Sequence, residues 1–308
     1  IEVVAVNGPA DTKTHLHLLQ YDSVHSRFAG TITHDEKADT LDMGRGPIKV
    51  LHTRELAGLP WGELGVDVVL ECTGKFVTAE SCQAHLQQGA KKVLISAPAK
   101  DDCPTFVYGV NDAALENFHD VISVGSCTTN CLAPLAMVLH REFGIESGYM
   151  TTIHSYTGDQ NIVDGSHSDL RRARAAAMSM VPTSTGAAKA IGLVLPELAG
   201  RLQGSAIRVP TPNVSMVDLT FVSKSPVIKD VVNAALIEAA GTYLKGVLAT
   251  SDEPLVSIDF CHRSASSIAD LTQTKVAGDR LVHVAAWYDN EWGFSCRMLD
   301  MAALVGKR

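Results

Sequence analysis

Hydrophobic positions in the first part of the chain fall into short, nearly unbroken runs, and each run ends in small or polar residues. Ile1-Glu2-Val3-Val4-Ala5-Val6-Asn7 reads as a strand, with a helical stretch behind it through Thr14, His15, Leu18 and Leu19. Asp42 to Gly46 reads as a hairpin turn, and Ile48-Lys49-Val50-Leu51 continues as a strand. Val66 to Glu71 is a further strand, ending in Cys72-Thr73-Gly74. The helix after it, Thr78 to Gln88, has Gly89 as its stop signal. Val93-Leu94-Ile95 leads into Ser96-Ala97-Pro98, and Val121-Ile122-Ser123-Val124 into Gly125-Ser126. Apolar strands alternating with helices predict a parallel sheet covered on both faces. Such sheets bind ligands beyond the carboxyl ends of their strands, where Asn7-Gly8, Thr73-Gly74, Ser96 and Gly125-Ser126 fall.

Beyond His154 the pattern changes. Residues 156–178 read as a long polar loop, after which Pro182-Thr183-Ser184-Thr185-Gly186 precedes an Ala-rich helix from Ala187. Ala206 to Val209, Val214 to Val222, Val256 to Phe260 and Leu281 to Trp287 alternate, which predicts a half-exposed antiparallel sheet and a second domain. Glu291 to Val305 reads as a closing helix. The expected division is 1–126, 127–290 and a C-terminal helix, 291–308, packing back on the first domain.

Between the two patterns lies Ser126-Cys127-Thr128-Thr129-Asn130-Cys131, a polar turn between an apolar strand and the mostly apolar segment from Leu132 to Leu139. Its hydroxyl and amide side chains are the ones that cap helix starts. Pro134 leaves two readings open: a helix from Ser126 bending near the proline, or one from near Asn130 with the proline in its first turn. Either puts Cys127 at the helix mouth, where amide N–H groups and the helix dipole favour a thiolate. From Cys127 to Phe143 a helix rises about 24 Å at 1.5 Å per residue. The strand from Gly148 returns about 20 Å to His154. Out and back nearly match, so His154 is expected beside Cys127, giving a nucleophile and a base.

Composition narrows the classes. The 308 residues are 46% hydrophobic and carry a formal net charge of −8, which suits a two-domain globular protein and not a nucleic-acid binder. The one dense basic patch, Arg171-Arg172-Ala173-Arg174, suits small anions. No apolar run reaches the eighteen or so residues of a membrane span, and no signal peptide is visible. Seven cysteines lack zinc-ligand spacing, so no metal site is expected and reduced thiols in a cytoplasm are the simplest account. A GxGxxG turn occurs nowhere. If Ile1 to Val6 is the second strand of a dinucleotide-binding sheet, the first strand and its glycine turn fall outside this numbering.

Five segments carry a resemblance: Ser126 to Cys131, Thr152-Ile-His-Ser-Tyr-Thr-Gly-Asp159, Pro182 to Lys189, Arg208-Val-Pro-Thr-Pro-Asn-Val214 and Trp287-Tyr-Asp-Asn-Glu-Trp-Gly293. In order and spacing the chain resembles phosphorylating glyceraldehyde-3-phosphate dehydrogenases along essentially its whole length. That resemblance implies an α/β Rossmann-type parallel-sheet domain, lacking its first strand here, and an α+β catalytic domain with an antiparallel sheet. It also implies a homotetramer that takes a phosphorylated aldehyde, inorganic phosphate and NAD or NADP. Cys127 would attack the aldehyde and His154 would take the proton. Thr157, Asp159 and Arg208 match positions around the substrate's own phosphate, and Ser126, Thr128, Arg172, Thr185 and Gly186 those around the attacking phosphate. Asn290 would hold the nicotinamide carboxamide, with Asn7, Gly8, Thr73, Gly74, Ser96 and Ser166 along the rest of the cofactor. NAD-specific members place an aspartate where this chain has Gly8. Chloroplast-type members that accept NADP carry a small residue and serine where it has Gly165-Ser166, so NADP is expected to be used at least as well as NAD. The alternatives are an erythrose-4-phosphate dehydrogenase, a cysteine–histidine hydrolase and a non-catalytic remnant. The hydroxyl and arginine clusters favour the first-named family.

Overall fold

In a computed structural model, which describes residues 1–307, the chain forms two layered domains. The first holds β1 (Ala5–Asn7), α1 (Thr12–Gln20), β2 (Tyr21–Asp22), β3 (Ser26–Arg27), β4 (Thr33–Asp35), β5 (Thr40–Asp42), β6 (Pro47–Leu51), β7 (Val68–Glu71), α2 (Ala79–Gln87), β8 (Lys92–Ile95) and β9 (Val121–Ser123). The second holds α3 (Cys127–Phe143), β10 (Ile145–Ser155), β11 (Val181–Thr183), α4 (Ala187–Val194), β12 (Leu202–Val209), β13 (Ser215–Ser223), α5 (Lys229–Gly241), β14 (Leu248–Ser251), β15 (Ser267–Ala277), β16 (Leu281–Tyr288) and α6 (Trp292–Val305).

Where one parallel sheet was expected in the first domain, there are two main sheets, one parallel only between β1 and β6 and the other parallel throughout. One runs β1-β6-β5-β4, the other β7-β8-β9, and among the described residues no strand joins the edges of β1 and β7. They share a core all the same: Val4, Ala5 and Leu51 pack against Val69, Val93 and Val121. The hairpin after β5 is closed by Asp42, whose carboxylate accepts from the N–H groups of Gly44, Arg45 and Gly46 at 2.7–3.0 Å. Thr78 and Ser81 form a reciprocal capping box at the start of α2, and Gly89, at φ 101°, stops it.

The second domain is a seven-stranded sheet in the order β11-β12-β10-β13-β16-β15-β14. It is antiparallel except that β10 pairs with β12, and β14 with β15, in parallel. The sheet is therefore mixed, with one parallel pair at the β14 edge and the other one strand in from the β11 edge. Val256 to Phe260, expected as a strand, is instead a 3₁₀ turn from Ser257 to Phe260, because the Asp259 carboxylate accepts from Val256 N and closes the backbone locally. Helix α3 runs unbroken through Pro134 with Ser126 as N-cap, which selects the first of the two readings of that segment. Most of its residues are buried, and with α4 and α5 it covers one face of the sheet. On α6, Met298, Met301, Ala302 and Val305 pack on Leu94, Ile122 and Val124 of the first domain.

Candidate active site

Strand β9 ends at Ser123, and Gly125, at φ 71°, turns the chain into α3. The Ser126 hydroxyl accepts from Thr129 N at 3.1 Å, so this side chain is spent on capping the helix. Cys127 opens the helix, and its Sγ lies 3.4 Å from Nε2 of His154, the penultimate residue of β10. Nδ1 of His154 lies 2.8 Å from the carbonyl of Ser155 and 3.2 Å from Arg208 Nη1, and the tautomer that donates to the carbonyl leaves Nε2 as an acceptor facing the thiol. Burial, with the Arg208 charge beside it, lowers the His154 pKa to about 4. The imidazole is neutral at pH 7. Burial raises the Cys127 thiol, while Arg208, the Thr128 hydroxyl and the first N–H groups of α3 act the other way.

Tyr288 underlies the pair. Its hydroxyl hydrogen-bonds both Thr128 Oγ1 and Thr152 Oγ1 at 2.8 Å, and its ring meets His154 edge-on at 5.9 Å. The Thr128 hydroxyl is thus engaged inside the domain, leaving its backbone as the part able to meet an anion. Sequence patterning gave no sign of Tyr288, because a strand tyrosine reads equally well as core.

Around the mouth, Arg208 Nη1 donates to Ser155 O at 2.9 Å and to Thr157 Oγ1 at 3.3 Å. Its Nε is buried with no hydrogen-bond partner, an unsatisfied cationic donor that an anion would complete. Arg172 pairs with Asp159 and donates to Thr183 Oγ1 at 3.1 Å. Thr157, Asp159, Arg172 and Arg208 therefore form one cluster with His154. Thr185 and Gly186 sit at the start of α4, where Thr185 Oγ1 accepts from Ala187 N at 3.2 Å. Among the described residues, no hydrogen bond ties those two to the arginines. Arg171 and Arg174 are exposed, the latter paired with Asp164. Cys131, one turn below Cys127, is fully buried and its thiol is pushed up to about 12.

The expected cofactor residues lie at strand ends and in the long loop, with unequal freedom. The Asn7 amide is consumed by the backbone of Thr53, giving and accepting at 3.1 Å. Thr73 is held by Glu71, whose carboxylate accepts from its N–H and its hydroxyl, and Gly74 takes φ 68°. Ser96 N donates to Glu71 O at 3.0 Å, while the carbonyl of exposed Ser166 accepts from Asn161 at 3.4 Å. Asn290 Oδ1 accepts from the hydroxyls of Ser155 and Ser215 at 2.9 and 2.8 Å, which turns its amide N–H₂ outward as a donor. A free amide donor beside the Cys127–His154 pair fits a nicotinamide carboxamide. Sequence reasoning missed the residues doing the holding: Glu71, Ser215, and Asp289, which accepts from Glu291 N, Trp292 N and His262 N at 2.8–3.0 Å.

Two family descriptions match the chain: "Glyceraldehyde 3-phosphate dehydrogenase, NAD binding domain" over residues 1–79 and "Glyceraldehyde 3-phosphate dehydrogenase, C-terminal domain" over residues 126–290. Among curated relatives, a glyceraldehyde-3-phosphate dehydrogenase of Xanthobacter flavus is 59% identical over 307 residues, covering 100% of this chain and 91% of its own length. One from Pseudomonas aeruginosa is 56% identical over 309 residues, with the same coverage. The chloroplastic glyceraldehyde-3-phosphate dehydrogenase B of Pisum sativum is 52% identical over 311 residues, covering 100% of this chain and 69% of its own.

Proposed function

The chain belongs to the glyceraldehyde 3-phosphate dehydrogenase family of oxidoreductases, and from that premise we propose how its own residues share the reaction. Cys127 attacks the aldehyde carbonyl of glyceraldehyde 3-phosphate, forming a C–S bond. His154 Nε2, 3.4 Å from Sγ, takes the proton. Nicotinamide, when bound, supplies the hydride acceptor that converts the thiohemiacetal to a thioester on Cys127. Asn290 orients the carboxamide, and inorganic phosphate then cleaves the thioester, releasing an acyl phosphate and restoring the thiol. Arg208, Thr157 and Asp159 hold the substrate phosphate. Arg172 and Thr185-Gly186, with the backbone of Ser126 and Thr128, receive the attacking one.

The observation that carries this reading is a neutral imidazole nitrogen aimed at a thiol, beside a buried arginine donor with nothing to bind. A single-turnover experiment tests it in the full-length protein. Mixing with substrate and cofactor but no phosphate is expected to release about one equivalent of reduced cofactor per chain and leave an acylated Cys127, seen by mass spectrometry. Steady turnover should then require phosphate. Equal turnover without phosphate would instead support the hydrolytic or erythrose-type alternatives.

Three finer points belong to the same proposal. The complete enzyme uses NADP at least as well as NAD, because Gly8 offers no carboxylate to repel a 2′-phosphate. Gly8→Asp is expected to shift the ratio of kcat/KM towards NAD by on the order of tenfold. A wild-type preference for NAD above about a hundredfold would remove the argument. The protein is a homotetramer: the loop after β10 exposes Ile162, Val163, Leu170 and Met178, at 72–87%, an apolar surface that neighbouring copies would cover. Cytoplasmic residence suits the seven free thiols, and no helix is long and apolar enough to cross a membrane among the described residues.

A further inference from the structure

Strand β1 ends at Asn7, and Gly8 follows it at the place where a dinucleotide-binding sheet receives the adenosine ribose. An acidic side chain there accepts from the ribose hydroxyls of NAD, whereas NADP sites bring up a cation for the 2′-phosphate. Gly8 has no side chain, and the space beside it is filled from another element. His15, on the first turn of α1, brings Cε1 to 2.7 Å and Nε2 to 2.9 Å of where a Gly8 Cβ would sit.

That ring nitrogen is out of place unless something binds it. His15 Nε2 is buried and has no hydrogen-bond partner, a costly condition for a polar atom in an interior. His52 stacks behind the ring at 6.3 Å with an interplanar angle of 25°, and is itself fixed by Ala10 O at 2.7 Å and Asp39 at 3.0 Å. Asn7 cannot take the role, because its amide is committed to Thr53. A buried, unpartnered nitrogen and a glycine cradle thus coincide at the strand end that separates the two cofactors.

We propose that His15 is the specificity-determining residue for NADP, donating from Nε2 to the 2′-phosphate, with Gly8, which has no Cβ, leaving room for the His15 ring at that strand end. The inference rests on the proposed use of NADP and adds the group that recognises it. Because Nε2 is closed off beneath Gly8, this contact requires the imidazole to turn about χ2, a broad torsion.

Equilibrium binding of NADP and of NAD to the full-length protein, measured by calorimetry, separates the possibilities. His15→Leu is expected to raise the Kd for NADP about tenfold or more while leaving the Kd for NAD within about twofold, as loss of one charge-assisted hydrogen bond requires. His15→Lys is expected to keep most of the NADP affinity, and because it keeps an N–H donor it also serves if the leucine variant folds poorly. Equal weakening of both cofactors, in either variant, would make His15 a structural residue and overturn the inference. So would an unchanged Kd for NADP in His15→Leu while the wild type binds NADP well, an outcome that leaves the cofactor reading standing. A wild type that binds NAD more than about a hundredfold tighter would remove the cofactor reading and this inference together.

Discussion

His85 and His154 are about equally buried, at 3% and 5% exposure, yet only one faces a reactive atom. On α2, His85 Nδ1 accepts from Trp61 Nε1 at 3.0 Å and the other nitrogen donates to Glu71 Oε2 at 3.1 Å. Both ring nitrogens are consumed, and the charge beside the ring is a carboxylate. His154 has one nitrogen fixed by a backbone carbonyl and the other turned to Cys127, and the charge beside its ring is the Arg208 guanidinium. Burial alone therefore says little about function. What distinguishes the two is the sign of the neighbouring charge and a nitrogen left over for chemistry.

Mutations at the two sites should separate activity from stability, and the largest effect is expected at the thiol. Cys127→Ser is expected to lower kcat by more than about 10⁴-fold, since a serine hydroxyl cannot ionise near neutral pH. Readily measurable turnover in that variant would break the covalent side of the comparison. His154→Asn comes next, with hydride release slowed about 10²- to 10⁴-fold in single-turnover kinetics. Its urea midpoint should stay close to wild type, and Cys127 should remain alkylatable by iodoacetamide, more slowly. A large loss of stability instead would make His154 resemble His85.

The mirror-image change is His85→Asn. It leaves the Glu71 carboxylate buried against a poorer donor, and breaking such a pair costs about 3–5 kcal/mol. Denaturant unfolding should show that loss, while the kcat of the folded protein stays within about twofold of wild type. A collapse of kcat with stability intact would mean the first-domain pair reaches the chemistry in a way its geometry does not suggest.

The two pairs also differ in how far the sequence disclosed them. Cys127 and His154 flank one helix, so rise-per-residue arithmetic brings them together, and the Ser-Cys-Thr-Thr-Asn run marks the helix start. Glu71 and His85 sit on a strand and a helix with no pattern to single them out, because one acidic residue at a strand end reads as a boundary. Elsewhere legibility followed periodicity. Strand β13 alternates cleanly and was placed within a residue at each end. Strand β15 is buried on both faces through its first half and shows no alternation to read. Val256 to Phe260 has the apolar period of a strand, but a single side-chain bond from Asp259 decides it. Gly8 was legible as a missing carboxylate. That His15 fills the gap was not, since its ring reaches back from a helix whose direction the sequence leaves open.

The smallest effect tests whether the first-domain pair is purely structural. Burial pushes the Glu71 carboxyl up, but hydrogen bonds from His85 and Thr73 together outweigh it, and the folded pKa lies below the ordinary 4.5. The unfolded chain therefore binds more protons as pH falls. The stability Glu71 contributes is complete above about 4.5 and is lost as pH drops through the depressed folded value. His154, lowered from 6.5 to about 4, steepens the acid limb in the same direction, but it does so equally in a variant that keeps it. The difference between wild type and Glu71→Gln thus isolates Glu71. Glutamine retains the shape and an acceptor for His85, so the loss at pH 7 is expected to be on the order of 1 kcal/mol, the gap between a charged and a neutral hydrogen bond. It should vanish as pH falls through the depressed folded pKa of Glu71, where the two unfolding curves converge. Because the same carboxylate holds Thr73 at the cofactor edge, the KM for NAD should also rise, by about twofold, with kcat unchanged. Convergence of the stabilities without any change in KM would confine Glu71 to the fold. Parallel acid limbs would show that the pair contributes no charge at all, and would leave burial as the only thing the two histidines share.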